Sequence, residues 1–144
     1  MISWYSKKQA TTALSSTEAE IHALVEGIKE STWLRQLLDE LNFDMSDPIT
    51  LHEDNQSAIA IAIDPVHHSR VKHIEVKTYY IRENLGNQNV KLVYCPTDLM
   101  IADILTKALP APQFKRLRDR MGLTSLSAVL NTQTTLYRLV VKDW

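Results

Sequence analysis

Strand-like and helix-like segments alternate along this chain of 144 residues, and the alternation restricts its fold more than any other feature. Apolar residues at every second position predict strands, whereas apolar residues three or four positions apart predict helices. The predicted strands cover residues 2–6, 49–54 and 90–95. The predicted helices cover residues 16–41, 58–63, 72–85, about 97–108 and 113–121. This order of elements indicates an α/β fold in which helices flank a sheet.

The longest predicted helix begins with a strong local signal. Ser15 is followed three residues later by Glu18, which is the spacing of a capping box. In a capping box each of the two side chains accepts a hydrogen bond from a backbone N–H group that the helix leaves unpaired. The interpretation therefore gives Glu18 a structural role. Farther along, the small polar residues Ser31 and Thr32 separate two sets of apolar positions, which makes them the place for a bend or break.

Polar residues and glycines predict the ends of the later helices. Thr97 or Asp98 is expected to cap the helix that follows the third strand. Gly86 and Gly122 are expected to end two further helices, since glycine adopts the left-handed conformation common after a helix.

The overall composition indicates a globular intracellular protein. Hydrophobic residues make up 44% and charged residues 23%, which are the proportions of an ordinary folded domain. No apolar run approaches the roughly 20 residues of a membrane span, so no membrane partner is expected. Residues 1–8 lack the apolar core of a signal peptide, and the expected location is cytoplasmic or nuclear without distinction between them. The single cysteine, Cys95, excludes an internal disulfide and a multi-cysteine zinc site.

Charge is distributed unevenly although the net charge is only −1. Residues 18–64 contain 11 acidic and 2 basic residues, whereas residues 65–120 contain 10 basic and 5 acidic residues. One interpretation is an acidic pocket that holds cations beside a basic surface for a polyanion. The other is two solvated faces of opposite sign, and charge alone does not separate them.

Three acidic residues lie where predicted elements begin or end. Glu20 is in the first turns of the long helix, Asp54 ends a strand, and Asp103 is in the helix after the third strand. Carboxylates at such positions can converge on one edge of an α/β sheet. Convergent carboxylates suit Mg²⁺, and two such ions can hydrolyse a phosphodiester. Each acid taken singly also has a structural interpretation, as a favourable charge at a helix start or as a turn residue.

Six short motifs occur in an order and at spacings that resemble a known family. They are Ser3-Trp-Tyr-Ser-Lys-Lys-Gln9, Leu14-Ser-Ser-Thr-Glu-Ala-Glu20, Glu53-Asp-Asn-Gln-Ser-Ala-Ile59, Arg70-Val-Lys-His-Ile74, Ile81-Arg-Glu83 and Ala102-Asp-Ile-Leu-Thr-Lys107. Together they resemble the ribonuclease H domain at the C-terminal end of the Pol polyprotein of copia-type (Ty1/copia) LTR retrotransposons. The resemblance covers residues 2–123 and leaves residues 124–144 as a tail.

The resemblance implies a fold, an activity and a site. The fold is ribonuclease H-like, with helices flanking a mixed sheet, and the activity is hydrolysis of the RNA strand of RNA–DNA hybrids by two Mg²⁺ ions during reverse transcription. Glu20, Asp54 and Asp103 map to catalytic, metal-binding acids. The partners implied are an RNA–DNA hybrid and the reverse transcriptase portion of the same polyprotein. Arg70, Lys72 and His73 would hold phosphates of the hybrid, although a solvated loop is the other interpretation of these residues.

The family's first catalytic aspartate has no counterpart in the sequence. By resemblance it lies on a strand upstream of Ser3, so the first strands of the fold are expected to be absent and the isolated chain is expected to be inactive. The alternative function is a non-catalytic remnant or recruited fragment that binds nucleic acid or protein. Absent strands would also leave an exposed sheet edge, open to self-association or to a strand formed by residues 136–141.

Overall fold

The computed structural model describes residues 3–64 and 72–123. The chain divides into two compact units, one formed by Lys7–Met100 and the other by Met1–Ser6 together with Ile101–Trp144. The first unit contains α1 (Ser16–Glu40), β1 (Ile49–Glu53), α2 (Gln56–Ile63), α3 (Lys72–Gly86), β2 (Val90–Tyr94) and a short 3₁₀ helix, Thr97–Leu99. The second unit contains a 3₁₀ helix, Ile101–Leu105, and α4 (Ala111–Arg120). No helix in the described ranges combines the length and the apolar character needed to cross a membrane.

The two strands pair in parallel, with a register that runs from Ile49 opposite Val90 to Glu53 opposite Tyr94. A parallel pair needs a long crossover, and α2 and α3 supply it. The described residues therefore form an α/β arrangement of four α-helices and a two-stranded parallel sheet, which confirms the predicted fold class. The one strand pair of the described residues is parallel, and the mixed sheet of a ribonuclease H-like fold stays an expectation.

The core of the larger unit lies between the helices and the sheet. Its buried side chains come from four elements, and they are Ile21, Leu24, Val25, Ile28, Ala58, Ala62, Ile81 and Val90. Ile49 and Leu51 pack against this cluster from β1. In α2, Ala58 and Ala62 are buried and Ala60 is exposed, a four-residue spacing that agrees with the helical interpretation of the alternating Ala–Ile segment at 58–63. Helix α1 supplies half of the cluster, so it is the main support of the sheet.

Helix α1 runs without a break through Ser31 and Thr32. The Ser31 hydroxyl donates to the Gly27 carbonyl at 2.7 Å, and the Thr32 hydroxyl donates to the Ile28 carbonyl at 2.9 Å. These side chains thus bond back within the helix. The helix therefore continues for 25 residues without the break that was the one alternative at this position.

Two predicted elements are wrong. Residues 3–6 form no strand, because a strand requires a partner and these residues have no ladder; instead the Ser6 hydroxyl donates to the Leu105 carbonyl at 3.2 Å. The predicted helix at 97–108 is two 3₁₀ helices separated by Met100, whose backbone is extended. Neither Thr97 nor Asp98 caps it, since the residue at the cap position is Pro96, which has no side-chain donor or acceptor.

Three helices of the described ranges end in the same way, with a left-handed residue after the cap. These residues are Asn42 after α1, Gln88 after α3 and Gly122 after α4, with φ angles of 61°, 55° and 75°. In each case the N–H groups of that residue and the next bond back to the helix, as in a Schellman motif. Gly122 therefore ends its helix as predicted. Gly86 is the last residue of α3, but the left-handed position expected for it is taken by Gln88.

This arrangement predicts that α3 ends less favourably than it could. A Cβ at Gly86 meets nothing within 4 Å, whereas Gln88 carries a Cβ in a conformation that glycine adopts at no cost. Gly86→Ala and Gln88→Gly are each expected to raise the free energy of unfolding by about 1 kcal/mol, measured by urea denaturation. Gly122→Ala is the matched control and is expected to lower it, because its φ is +75°. Equal effects at all three positions would contradict this explanation.

Some expectations fall outside the described residues. The tail at 124–144, including the predicted strand at 136–141, and the loop that contains Arg70 are not among residues 3–64 and 72–123.

Candidate metal centre

The start of α1 is held by hydrogen bonds that position Glu20. The Ser15 hydroxyl accepts from the Glu18 N–H at 3.1 Å, as predicted. The Glu18 carboxylate, which is buried, accepts from the Leu14 N–H at 2.8 Å. The Gln9 side chain donates to the Ala19 carbonyl at 2.9 Å. The preceding segment is thus tied to the first turns of the helix, next to Glu20.

The end of β1 positions two further carboxylates. Glu53 is the last residue of the strand, and its side chain is buried and accepts from the Asn55 N–H at 2.9 Å. The Glu53 carbonyl accepts from the Cys95 N–H at 2.9 Å, which extends the pairing with the second strand. Asn55 in turn caps α2 by accepting from the Ala58 N–H at 3.1 Å. Asp54 therefore lies between a paired strand end and a capped helix start.

Three carboxylates meet at this junction. Glu20, Glu53 and Asp54 each offer an oxygen, and these oxygens all lie within 4.8 Å of one another. Glu53 is buried, and the other two side chains are half-buried. Oxygens bound to one Mg²⁺ lie about 2.0–2.1 Å from the ion, so opposite ligands are about 4 Å apart. The donor set and its spacing therefore suit a hard divalent cation.

The electrostatics of the cluster are unfavourable without a cation. The pKa of Glu53 is raised to about 7, chiefly by burial and in part by the negative charges of Glu20 and Asp54, against the lowering effect of hydrogen bonds from the Asn55 and Asp54 N–H groups. Neighbouring carboxylates repel one another when all are ionised, which raises the pKa of at least one of them. A bound cation attracts the ionised carboxylates and so lowers that pKa.

Two members of this cluster are predictable from the sequence, and the third is not. Glu20 and Asp54 are brought together as expected. Glu53 was assigned no role, although a signal was present: it alternates with Ile49 and Leu51, which face the core. A carboxylate at the inward-facing position of a strand end is unusual, because burial of a charge is costly unless something compensates for it.

Asp103, the third predicted acid, lies in the second unit. It is in the 3₁₀ helix Ile101–Leu105 and is buried. Its carboxylate is 2.7 Å from the Lys107 ammonium, and its carbonyl accepts from the N–H groups of Thr106 and Lys107. Within the first unit the carboxylates brought together are Glu20, Glu53 and Asp54, and within the second unit Asp103 is paired with Lys107.

Of the predicted phosphate-binding residues, the described part of the chain includes two. Lys72 and His73 are the first residues of α3, and Arg70 lies outside the described ranges.

Curated proteins similar to this chain come from transposons of plants and yeast. The Pol polyprotein of tobacco (Nicotiana tabacum) transposon TNT 1-94 is 38% identical over 86% of the chain. That of Arabidopsis thaliana transposon RE1 is 36% identical over 85% of it, and the Saccharomyces cerevisiae Ty1-DR5 Gag-Pol polyprotein is 35% identical over 80%. The matches cover 9%, 8% and 7% of those proteins, so the chain spans less than a tenth of their length.

No protein-family model matches the chain, and no solved structure matches it significantly. The curated relatives agree with the motif resemblance in one respect, since both point to a Pol polyprotein. The homologues of this chain are retrotransposon Pol polyproteins of the copia/Ty1 type, and the chain corresponds to one region of such a polyprotein.

Proposed function

We propose that this chain is the ribonuclease H region of a retrotransposon Pol polyprotein and that its acidic cluster binds Mg²⁺. The observation that carries the proposal is the meeting of Glu20, Glu53 and Asp54 within 4.8 Å. Two of these residues, Glu20 and Asp54, are the ones that the motif resemblance assigns to the catalytic site. Asp103 is proposed as a further ligand on the same resemblance. The similarity to Pol polyproteins is consistent with this role.

The donor set fits Mg²⁺ by its chemistry. The three side chains offer only oxygen, and Glu53 remains buried with a raised pKa that a divalent cation would lower. When bound, the ions would supply an activated water and stabilise the leaving oxygen of a phosphodiester. The chain's own contribution is to hold the carboxylates in place. The Asn55 N–H fixes Glu53, and the capped start of α1 fixes the backbone at Glu20.

The proposed substrate is the RNA strand of an RNA–DNA hybrid. Arg70, Lys72 and His73 are proposed to contact its phosphates, since cations bind the backbone without reading its sequence. The reverse transcriptase portion of the same polyprotein is the proposed partner, and an intracellular location follows from that role. The polyanionic substrate and the carboxylates would repel each other without metal, which adds to the requirement for Mg²⁺.

A cleavage assay tests this proposal. A polypeptide of these 144 residues is expected to cleave a labelled RNA–DNA hybrid little or not at all, because it carries three of the four acids that the resemblance implies. A longer Pol segment that adds the upstream aspartate is expected to cleave the hybrid with Mg²⁺ and not with EDTA. Single-stranded RNA and duplex DNA are the substrate controls.

The outcomes separate the proposed function from its alternative. Strong Mg²⁺-dependent cleavage by the 144-residue polypeptide would refute the expectation of inactivity while supporting the ribonuclease assignment. Failure of the longer segment to cleave, with the hybrid still bound, would instead favour a non-catalytic nucleic-acid-binding module.

A further inference from the structure

Helix α1 carries an exposed apolar patch on the part of its surface that faces away from the core. The patch consists of Trp33, Leu37, Leu41 and Phe43, of which Trp33 is 53%, Leu41 58% and Phe43 57% exposed. The first three recur every four residues, so they are neighbours on one stripe of the helix. The buried face of the same helix is formed by Ile21, Leu24, Val25 and Ile28 on the other side.

The end of α1 fixes the fourth member of the patch. Asn42 adopts φ of 61°, and its N–H donates to the Asp39 carbonyl at 2.9 Å. The next N–H, from Phe43, donates to the Leu38 carbonyl at 3.0 Å. This Schellman motif turns the chain back so that Phe43 is held beside the last turn of the helix. The patch is thus built on rigid backbone and combines an aromatic ring from the helix with one from its cap.

Acidic residues are concentrated at the end of α1 that carries the patch. Asp39, Glu40, Asp44 and Asp47 are all exposed around the end of α1. The last turn contains no basic residue, and the C-terminal end of a helix adds partial negative charge. Arg35, the basic residue of α1 closest in sequence to this end, donates to the carbonyls of Asp47 and Asn89 at 2.7 and 2.9 Å. Asp39, Glu40, Asp44 and Asp47 therefore give the end of α1 an acidic rim next to the apolar stripe.

We propose that this patch is the docking site for a basic amphipathic helix of a partner protein. Apolar side chains at helical spacing on the partner would cover Trp33, Leu37 and Leu41, and its lysines and arginines would face the acidic rim. The same rim repels phosphate, so it disfavours nucleic acid at this face. Exposed aromatic residues inside a polar rim are the usual composition of a protein-binding surface. The proposal is independent of the metal centre, which uses none of these residues.

Binding of a designed peptide to the full chain tests the proposal. The probe is a fluorescein-labelled helical peptide of about 18 residues with leucines at i, i+3, i+4 and i+7 and with lysine and arginine elsewhere. A control peptide keeps every leucine and replaces each basic residue by glutamate. Fluorescence anisotropy is expected to show binding of the basic peptide and at least tenfold weaker binding of the acidic one.

Variants of the chain then locate the site. Leu37→Gln with Leu41→Gln is expected to weaken binding of the basic peptide about tenfold or more, and Asp39→Asn with Glu40→Gln to weaken it by a smaller factor that disappears at high salt. Val76→Gln, at an exposed apolar position on α3, is the matched control and is expected to leave binding unchanged. All of these positions are exposed, so circular dichroism should show intact folding in each variant.

The remaining outcomes overturn the proposal. Equal binding of the basic and acidic peptides would show that charge plays no part. If the Leu37→Gln/Leu41→Gln variant bound the basic peptide as tightly as the parent protein does, the patch would play no part. If the basic peptide did not bind the parent protein at all, the proposal would also be wrong. If light scattering shows a dimer that the double variant abolishes while the basic peptide does not bind, the occupant is a second copy of the chain. Failure of Mg²⁺ binding or hybrid cleavage would leave this result unaffected.

Discussion

Glu53→Gln is expected to make the protein more stable at pH 8 and to leave its stability unchanged near pH 4. Burial raises the pKa of Glu53 from 4.5 to about 7, so the folded state holds this proton more tightly than the unfolded state does. The free energy of unfolding therefore falls as pH rises from about 4.5 through 7, and the loss amounts to at most about 3 kcal/mol. Glutamine stays neutral and keeps an oxygen for the Asn55 N–H, so it removes this loss.

Urea denaturation between pH 4 and 8 measures the effect, with Glu40→Gln as an exposed control that should follow the parent protein. Addition of Mg²⁺ is expected to stabilise the parent at pH 8 more than the Glu53→Gln variant, since the cation offsets a charge that the variant lacks. A pH profile that is the same for parent and variant would show that Glu53 is not held with a raised pKa.

Asp54→Asn and Glu20→Gln are each expected to weaken Mg²⁺ binding and to increase the stability of the metal-free protein. Each removes a charged ligand, so the Kd for Mg²⁺ should rise at least as much as the roughly 10–100-fold seen when an outer-shell partner of a metal is lost. Each also removes a negative charge that raises the pKa of Glu53, so stability without Mg²⁺ at pH 8 should increase. Titration calorimetry and denaturation at pH 8 measure the pair of effects.

A matched acidic residue away from the cluster controls this experiment. Asp39→Asn removes an exposed charge at the far end of α1 and is expected to leave Mg²⁺ affinity unchanged. An equal loss of affinity in all three variants would mean that Mg²⁺ responds only to net charge. Loss of stability in Asp54→Asn and Glu20→Gln would assign these acids to the structure of the junction. Asp103→Asn is tested in the cleavage assay of the longer Pol segment, where the loss of a metal ligand is expected to reduce hydrolysis of the hybrid.

Local signals in the sequence predicted the parts of the fold that depend on local contacts. The start of α1 followed from Ser15 and Glu18, and the helix at 58–63 followed from the helix preference of alanine. The pair of strands followed from alternation of apolar residues. Gly122 was anticipated as a helix end because glycine adopts positive φ without cost.

The errors occurred where structure depends on contacts distant in sequence. A strand at residues 3–6 needs a partner that the chain's local pattern does not reveal. Gln88 takes the left-handed position although its residue type disfavours it, since the helix continues through Gly86. Residues 97–105 carry helical spacing but form short 3₁₀ turns, in which Met100 is extended.

The candidate site was predictable only where local position and motif identify its residues. Glu20 and Asp54 were identified from their positions at the ends of elements and from the motif resemblance. Glu53 was not, because its importance depends on burial and on the two charges beside it, which only the folded arrangement supplies.

The junction between β1 and α2, formed by Glu53, Asp54 and Asn55, does not tolerate an inserted or deleted residue. Glu53 is buried inward, Asp54 joins the acidic cluster, and Asn55 caps α2. Side chains alternate between faces along a strand, so one inserted residue would exchange the environments of the first two and carry the cap away from its helix. Insertions between α1 and β1, beyond Phe43 at residues 44–46, disturb no such series. Length variation among natural versions of this chain should therefore collect there and be excluded from the junction at 53–55.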